Sequence, residues 1–473
     1  MKEDQKPAYV QELRRIVGRE NLITGFSEQT TTLKKYSHDQ IADERYAHDP
    51  DVVILPNETE QVCEILKVAC QYGIPVTPRG AGTGLSGGAV PVSGGIVLSL
   101  ERMNRILQID PSNLTATVEP GVVTRDLDTE LRPYGLFFAG YPMSEEICTI
   151  GGNVAENAGG GRAVKYGVTG TYVLGIDAVL PDGRVMSLGG KRLKDVTGYD
   201  LLKLIIGSEG TLAIVTKIHL RLLPRPKASE TMLALFDSTR KAISAIPDAI
   251  RTSGVNPASV EFMDSTCALA ACELTGDTLP LTKSGAVLLF EVDGTDYTTV
   301  QSELTKLADV LESLGANVKR RDSCEDNERF WNIRKKVPWA LKRMGSDQTL
   351  EDISLPIAAL APMMERLSKI ADHYGILIPS FGHAADGNLH CNPIRPESMT
   401  QDMWRTILPE ALSEIYEAAK EHGGTISGEH GIGHKRKRYI KQVLDPVALE
   451  VMRSIKQVLD PKGILNPGKI FPD

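Results

Sequence analysis

Five glycines occur among the eleven residues of Pro78-Arg79-Gly80-Ala81-Gly82-Thr83-Gly84-Leu85-Ser86-Gly87-Gly88, a stretch that follows a predicted strand over residues 74–77. Glycines allow backbone N–H groups to converge on phosphate oxygens because no Cβ interferes, and Arg79 adds a cation beside them. The spacing of Gly82, Gly84 and Gly87 also satisfies the dinucleotide fingerprint, but a true fingerprint opens a helix, whereas residues 89–95 lead into another strand. The stretch therefore predicts a pyrophosphate-binding loop without a Rossmann helix. A flexible loop without a ligand is the alternative.

Two further glycine-rich segments precede a proline-rich junction. Residues 150–161 contain five glycines, residues 207–211 contain two, and the junction is Pro224-Arg225-Pro226. Short strands dominate before the junction, and beyond it strands alternate with longer helices. Three glycine-rich turns suit a backbone wrapped closely around a large, flat, phosphorylated cofactor. The length of 473 residues predicts two domains of about 200 residues each.

The bulk composition excludes several classes of protein. A net charge of −8 argues against nucleic acid as a partner, because phosphate binding needs a basic surface. No apolar run approaches the roughly 20 residues that a membrane span needs, and the first residues are too polar for a signal peptide. The seven cysteines form no Cys-x-x-Cys pair, which argues against iron–sulfur and zinc-finger motifs and is typical of a reduced compartment. These features predict a cytoplasmic protein.

A second informative stretch is Gly382-His383-Ala384-Ala385-Asp386-Gly387-Asn388-Leu389-His390. The pair Asp386-Gly387 is a strong signal for a two-residue hairpin turn, and such a turn would place His383 directly opposite His390. Directly opposed residues have Cβ atoms about 5 Å apart on one face, which suits two imidazoles that share a metal ion. Asn392 would point to the same face, and Cys391 to the other.

Histidines concentrate in this part of the chain, since five of the nine lie between residues 383 and 434. Gly428-Glu429-His430-Gly431 offers a carboxylate and a further imidazole between glycines. The pattern predicts a functional metal site, and a set of ordinary loop histidines is the alternative.

Taken in order along the chain, these motifs together with Asn466-Pro467-Gly468-Lys469 resemble those of the FAD-dependent 2-hydroxy acid dehydrogenases. That family includes the glycolate oxidase FAD subunit, D-lactate dehydrogenases and D-2-hydroxyglutarate dehydrogenase. The resemblance implies an α+β fold with a two-subdomain PCMH (vanillyl-alcohol-oxidase-type) FAD-binding domain and a C-terminal FAD-linked oxidase cap domain with an antiparallel sheet and flanking helices. The implied limits are a helical segment at 1–48, the FAD-binding domain at 49–226, the cap domain at 227–463 and a tail at 464–473 that returns to the FAD domain.

The resemblance also implies which residues hold FAD. The cofactor would be non-covalent, because the first glycine loop has neither the His nor the Cys through which some relatives attach their flavin. The implied residues are Arg79, Gly80, Ala81, Gly82, Thr83 and Gly84 for the pyrophosphate; Pro142, Ser144, Gly151, Gly152, Asn157 and Gly160 for the isoalloxazine and ribityl groups; Glu209, Gly210 and Ile214 for the adenine side; and Asn466 beside the flavin.

The same resemblance implies the chemistry. His383, His390 and Glu429 match the divalent metal ligands of the family, for which Zn is preferred and Mn or Fe would also fit. His430 matches the catalytic base and Asn392 a substrate-side amide. Arg334 matches the arginine that anchors the substrate carboxylate, and a solvated helix face is the alternative for it. The reaction would be hydride transfer from a 2-hydroxy acid to flavin, yielding a 2-oxo acid.

One departure from the family bears on the substrate. Relatives that prefer D-2-hydroxyglutarate carry a lysine just ahead of the segment that matches residues 352–356, whereas this chain has Leu350 and Glu351 there. The departure favours glycolate or D-lactate, with D-2-hydroxyglutarate as the alternative.

Partners and rival functions complete the expectations. Electrons would pass to an acceptor such as an electron-transfer flavoprotein or an iron–sulfur partner subunit, and the chain would be a homo-oligomer or a subunit of a complex. The basic run at 434–438 predicts a solvated helix start, or alternatively a docking site for an acidic partner. The rival functions are a metal-dependent hydrolase, an ether-lipid synthase of the same fold, and a non-catalytic flavin-binding subunit.

Overall fold

The computed structural model describes residues 8–24, 33–41, 43–320, 324–345 and 347–472, and the chain forms two compact units. Unit 1 comprises Met1–Gly159, Val168–Arg225 and Glu429–Asp473, and unit 2 comprises Gly160–Gly167 and Pro226–Gly428. The change of unit after Arg225 falls within the proline-rich junction. The units differ from the expected domain limits, because residues 160–167 and Pro226 belong to unit 2 and residues 429–463 to unit 1.

The described residues up to the junction form short strands and helices. In chain order these are α1 (Ala8–Val17), β1 (Leu22–Thr24), β2 (Val52–Ile54), α2 (Thr59–Tyr72), β3 (Val76–Arg79), β4 (Ile96–Ser99), β5 (Ile106–Asp110), β6 (Thr115–Val118), α3 (Thr124–Leu131), β7 (Leu136–Phe137), α4 (Ile150–Glu156), α5 (Ala163–Tyr166), β8 (Val173–Val179), β9 (Val185–Gly189), α6 (Leu201–Ile205), β10 (Ile214–Arg221) and β11 (Leu223–Pro224).

Beyond the junction most helices are longer, and the strands range from three to nine residues. They are β12 (Ala228–Phe236), α7 (Thr239–Ser253), β13 (Ser259–Asp264), α8 (Ser265–Thr275), β14 (Ala286–Gly294), α9 (Tyr297–Ser313), β15 (Asn317–Lys319), α10 (Cys324–Met344), β16 (Glu351–Ser354), α11 (Leu360–Tyr374), β17 (Ser380–His383), β18 (Asn388–Cys391), α12 (Gln401–Glu421), α13 (Ile440–Val443) and α14 (Pro446–Leu459).

Unit 1 contains two main sheets. The first has the order β1-β2-β4-β3, in which β2, β4 and β3 are parallel and β1 is antiparallel to β2. Apolar residues of α1 and α2, such as Leu13 and Ile65, pack with strand residues such as Ile54 in its core. The second sheet is antiparallel, with the order β5-β6-β10-β8-β9. The C-terminal segment returns to the first sheet, where Leu465 bridges to Val76 in parallel.

Unit 2 is built on one seven-stranded antiparallel sheet with the order β15-β12-β14-β13-β17-β18-β16. One face is apolar and buried, with residues such as Phe262, Phe290 and Met232, because every second strand residue points to it. The opposite face is divided. At one end of the strands, Leu289 and Phe381 pack under α8 and α10.

The other end of that divided face is polar. Strand pairing places Glu291 opposite Ser259 and Glu261 opposite His383, and directly opposed residues share a face. Further buried polar residues continue the row across the sheet, namely Thr231, Asn388, His390 and Asp352. A buried polar row of this kind is costly unless its groups are paired, so it marks the part of unit 2 in which to look for chemistry.

The prediction that the basic residues at 434–438 are solvated is wrong for two of them. The side chains of Lys435 and Arg436 are buried, and Arg436 is 0% exposed. The Arg436 guanidinium donates to the carbonyl oxygens of Gly431 (3.2 Å) and Leu85 (3.5 Å), which is why it can leave water. Within the described part of the chain, every helix is too short or too polar to cross a membrane.

Candidate flavin site and metal site

The parts of the three glycine-rich segments that belong to unit 1 lie against one another. A Cβ built on Gly80 would come within 2.4 Å of the Thr149 hydroxyl, so the first and second segments are in close contact. The N–H of Glu209 donates to the carbonyl oxygen of Ala155 at 2.8 Å, which joins the second segment to the third. A Cβ on Gly210 would lie 2.3 Å from Pro78, which joins the third segment to the first.

The first segment offers backbone N–H donors for a ligand. Among the residues that the structure describes, none accepts a hydrogen bond from the N–H groups of residues 80–84. Five successive N–H donors with no acceptor among the described residues fit the phosphate groups of a dinucleotide cofactor. Arg79, however, is 6% exposed and donates to the carbonyl oxygens of His38 (2.8 Å) and Lys35 (3.1 Å). Its guanidinium therefore holds the backbone of residues 35–38 in place.

Asn466 ties two of these segments together. Its Nδ2 donates to the carbonyl oxygens of Gly88 (2.9 Å) and Glu209 (2.8 Å). Its Oδ1 is buried, and no donor to it is present in the described part of the chain. An orphaned buried acceptor between glycine-rich loops fits a hydroxyl or N–H group of FAD, because such an acceptor is costly without a donor.

Asn157 also bonds the backbone through its side-chain oxygen. It ends α4 in the left-handed conformation with φ of 51°, and its Oδ1 accepts from the N–H of Gly170 at 2.8 Å. Gly151 packs so closely that an added Cβ would be 2.4 Å from Pro120, and the N–H of Gly152 bonds the Thr149 hydroxyl at 3.4 Å.

The remaining residues expected at the flavin occupy varied places. Pro142 and Ser144 are half-buried, Ser144 lies in a turn over residues 143–147, and its carbonyl oxygen accepts from the N–H of Cys148 at 2.9 Å. Gly160 is the first residue of the 160–167 segment of unit 2. Ile214 is part of the apolar core of the first sheet. Ala81 is exposed on the first loop, and Thr83 is half-buried there.

The Glu209 carboxylate does not remain open for a ligand. Its two oxygens accept the N–H groups of Ile432 and Gly433, each at 2.7 Å. Glu156 lies nearby, since a Cβ on Gly431 would be 2.1 Å from Glu156 Oε2 and 3.0 Å from Glu209 Oε1. Burial raises the pKa of both carboxyls, and for Glu156 the neighbouring Glu209 charge raises it further. Glu209 therefore holds the chain that directly follows His430.

In unit 2, the predicted hairpin register is wrong by two residues. The turn spans residues 384–387, so His383 pairs with Asn388, and Phe381 is the residue opposite His390. A shift of two residues leaves every side chain on its original face. The two imidazole rings consequently still meet, with centroids 5.3 Å apart and planes at 86°. Cys391 alternates with His390 and is fully buried.

Arg334 is held by a carboxylate that sequence reasoning missed. Its Nη2 lies 2.6 Å from Glu261 Oε2, and its guanidinium stacks 4.9 Å from the centre of the Phe381 ring. Arg334 is 3% exposed, so the solvated-helix interpretation of this residue is wrong. The same Glu261 binds His383, whose Nδ1 is 2.7 Å from Oε1. Burial raises the pKa of Glu261, but Arg334 and His383 outweigh it and lower the pKa to about 2.

A second missed carboxylate, Asp352, accompanies His390. Asp352 Oδ1 is 3.6 Å from His390 Nδ1 and accepts from Asn388 Nδ2 at 2.8 Å. Its Oδ2 accepts from the Ser427 hydroxyl at 2.8 Å and from the N–H of Gly428 at 3.0 Å. Unit 2 ends at Gly428, so the chain leaves this unit at the Asp352 carboxylate, and the next residue is Glu429.

Asn392, Glu429 and His430 complete the predicted set. Asn392 is 2% exposed, and its Nδ2 donates to Gln348 Oε1 at 2.6 Å. Glu429 and His430 belong to unit 1, where His430 Nε2 is 3.7 Å from Glu429 Oε1. Unit 2 therefore brings His383, His390 and Arg334 together around buried carboxylates.

Only one signal in the sequence pointed toward the two missed carboxylates. Glu261 stands between Val260 and Phe262 in a short strand, and Asp352 precedes Ile353 in another, and a charged residue in a strand is rarely buried without a partner. The charged partners of Glu261 lie 73 or more residues away and the partners of Asp352 lie 36 or more residues away, so neither pairing could be read from local spacing.

Comparison with known proteins agrees with this architecture. Residues 50–189 match the family described as "FAD binding domain", and residues 225–470 match "FAD linked oxidases, C-terminal domain". A glycolate oxidase subunit GlcD from Bacillus subtilis is 39% identical over 98% of this chain and 96% of its own length. A D-lactate dehydrogenase from Archaeoglobus fulgidus is 37% identical over 89% of this chain and 91% of its own. Among solved structures, p-cresol methylhydroxylase aligns with a TM-score of 0.80, at 19% identity, over 98% of this chain and 96% of that one.

An FAD-binding domain joined to this second unit defines a flavin-dependent oxidoreductase. The chain belongs to the FAD-linked oxidase family. The predicted α+β architecture with a PCMH-type FAD-binding domain is confirmed, as is the predicted resemblance to glycolate oxidase subunits and D-lactate dehydrogenases.

Proposed function

We propose that this protein oxidises a small 2-hydroxy acid, glycolate or D-lactate, to the corresponding 2-oxo acid, with non-covalent FAD and the help of a divalent metal ion. The observation that carries the proposal is the cluster in unit 2, where two histidines and a buried arginine meet. Imidazoles suit a metal ion, and a guanidinium suits a carboxylate. Relatives named glycolate oxidase subunit and D-lactate dehydrogenase support the substrate class.

For FAD, the proposal uses the features of unit 1 that fit a dinucleotide. The N–H groups of residues 80–84 would bind the pyrophosphate, and Asn466 Oδ1 would accept from the flavin or its ribityl chain. Residues 78–88 contain no His or Cys, which is the basis for non-covalent binding. Acid precipitation of the purified protein is expected to release all of the flavin into the supernatant.

For the reaction, each proposed role follows from the chemistry of the side chain. When bound, FAD accepts hydride and a divalent ion lowers the pKa of a substrate hydroxyl by charge stabilisation. His383 and His390 would hold the ion, with Glu429 as a further ligand and Zn preferred over Mn or Fe. Arg334 would bind the substrate carboxylate, and Asn392 would donate to the substrate. His430 would accept the hydroxyl proton, since imidazole titrates near neutral pH.

The size of the substrate is argued from residues 350 and 351. Leu350 packs against the apolar core under α10, and the Glu351 carboxylate accepts from the Thr349 hydroxyl at 2.5 Å and from the Tyr416 hydroxyl. Neither residue supplies a cation for a distal carboxylate. This supports a monocarboxylate substrate over D-2-hydroxyglutarate.

Reduced flavin must be reoxidised, so the proposal includes an electron acceptor. An electron-transfer flavoprotein or an iron–sulfur partner subunit would fill this role, consistent with a relative named as a subunit. Kinetics with purified candidate acceptors, compared with oxygen, would rank them.

The decisive experiment is an anaerobic visible spectrum of the purified protein before and after addition of D-lactate or glycolate. Bleaching of the flavin by one acid, and loss of bleaching after EDTA treatment and desalting, is the expected result. A yellow protein that EDTA does not affect would contradict the role of the metal. A yellow protein that neither acid bleaches would contradict the substrate, and D-2-hydroxyglutarate would be tried next.

His430→Ala separates an enzyme from a flavin carrier. The variant is expected to keep its flavin spectrum and to lose bleaching by substrate. Unchanged bleaching would contradict the role of His430 as base. A colourless wild-type protein that takes up no FAD would instead favour a metal-dependent hydrolase.

A further inference from the structure

One buried carboxylate in unit 2 touches two residues with different proposed roles. Glu261 is fully buried, and its Oε1 lies 2.7 Å from His383 Nδ1 while its Oε2 lies 2.6 Å from Arg334 Nη2. The Ser259 hydroxyl donates to Oε1 at 3.1 Å. His383 is a proposed metal ligand, and Arg334 is the proposed anchor of the substrate carboxylate.

Water is kept away from this carboxylate by the backbone of the 160–167 segment. A Cβ on Gly161 would lie 2.5 Å from Glu261 Oε1, so only glycine allows the chain to pass so closely. Arg162, the next residue, pairs instead with Glu291 at 2.8 Å, and Ser229 donates to the same Glu291 oxygen at 2.6 Å. Glu261 and Glu291 are therefore two buried carboxylates on one sheet face, each with its own arginine, and only Glu261 touches a histidine.

The contact with Glu261 decides which nitrogen of His383 can bind a metal. An ionised carboxylate only accepts hydrogen bonds, so Nδ1 of His383 must carry the proton. In a neutral ring the lone pair is then on Nε2, which is the atom that a metal ion takes. Arg334 is restrained in the same way, because Glu261 holds one Nη and Phe381 lies under the guanidinium plane.

We propose that Glu261 is a positioning residue that fixes the metal-binding tautomer of His383 and the orientation of Arg334, so that one carboxylate controls affinity for both the metal ion and the substrate carboxylate. The inference rests on the proposed function and adds a residue to it. Glu261 itself contacts neither ligand.

Glu261→Gln tests the inference because glutamine cannot serve both partners. The arginine only donates, so it takes the amide oxygen, and the amide NH2 group faces His383. Nδ1 of His383 must then accept, which moves the ring proton to Nε2 and blocks the metal-binding atom. We expect Zn²⁺ affinity, measured by competition with a colorimetric chelator, to fall about 10–100-fold.

A double variant restores the charge balance and keeps the test valid if the single variant folds poorly. In Glu261→Gln with Arg334→Met, no arginine claims the amide oxygen, so it can accept from His383 again. Zn²⁺ affinity is expected to recover to within a few-fold of the wild type, whereas the KM for the hydroxy acid stays high. A purely structural role for Glu261 would not produce this recovery.

Glu291→Gln is the matched control, since it removes a buried, arginine-paired carboxylate from the same face without touching a histidine. Its Zn²⁺ affinity is expected to equal that of the wild type. Equal Zn²⁺ affinity in Glu261→Gln and wild type would overturn the inference and leave the proposed function intact. A wild-type protein that binds no Zn²⁺ would overturn the metal site itself, and the inference with it.

Discussion

Asn466→Ala is expected to lower both the free energy of unfolding and the FAD content of the protein. Asn466 is 2% exposed, and its Nδ2 holds the carbonyl oxygens of Gly88 and Glu209 at 2.9 and 2.8 Å. Each buried carbonyl that loses its donor costs about 1–3 kcal/mol, so the two together cost about 2–6 kcal/mol. Asn466 has φ of 40°, and alanine in this left-handed region adds about 1 kcal/mol.

Asn466→Gly separates the two contributions, because glycine adopts positive φ without strain but makes no side-chain hydrogen bond. Urea denaturation should place this variant about 1 kcal/mol above Asn466→Ala and still well below the wild type. Asn113→Ala is the control, since Asn113 makes a comparable side-chain bond to Asp110 on the exposed surface. The ratio of flavin to protein absorbance gives the FAD content. The reasoning would be refuted by an Asn466→Ala protein that unfolds within about 0.5 kcal/mol of the wild type with its full complement of FAD.

Three further results are expected. Gly210→Ala should lower the Tm and the FAD content far more than Gly276→Ala. Both glycines have positive φ, but only at Gly210 would an added Cβ meet Pro78. Equal effects of the two substitutions would contradict a packing role for Gly210. Burial lowers the pKa of Lys469 to about 7, so between pH 7 and 10.5 the unfolded chain holds a proton that the folded chain does not. The free energy of unfolding of the wild type should therefore rise with pH in this window more steeply than that of Lys469→Met. Parallel plots of the free energy of unfolding against pH for the two proteins would contradict the lowered pKa of Lys469. Arg334→Lys should raise the KM for the hydroxy acid about 10-fold or more, because lysine cannot bind a carboxylate in bidentate fashion, and an unchanged KM would exclude the proposed anchor.

Local sequence was sufficient to predict those features of the fold that depend on the backbone conformation of neighbouring residues. The loop after β3 could be predicted because successive glycines in a strand-to-strand connection exclude a Rossmann helix. The end of α2 at Gly73 and the junction at Pro224–Pro226 depend equally on residues close together in the chain. Since these requirements are local, the order of motifs was enough to predict the family and its FAD-binding domain.

For the strand pair that carries His383 and His390, the sequence predicted the shared face of the side chains but not the register. The Asp386-Gly387 pair indicates a hairpin, and alternation places His383 and His390 on one face for any even shift. Only the folded sheet decides between a two-residue and a four-residue turn, because cross-strand neighbours on both sides stabilise one register. The two imidazole rings meet because strand alternation places them on one face, as the sequence predicted. The residues directly opposite them in the sheet are not the expected ones.

The partners of buried charges were decided by tertiary structure alone. Glu261 meets Arg334 and His383, and Asp352 meets His390, across sequence separations that no local pattern encodes. The buried Arg436 belongs to the same class, since a run of basic residues in the sequence indicates solvent and the fold supplies carbonyl acceptors instead. A charge can leave water only where the fold brings it a partner, so the sequence determined which groups are present and the tertiary structure determined which of them meet.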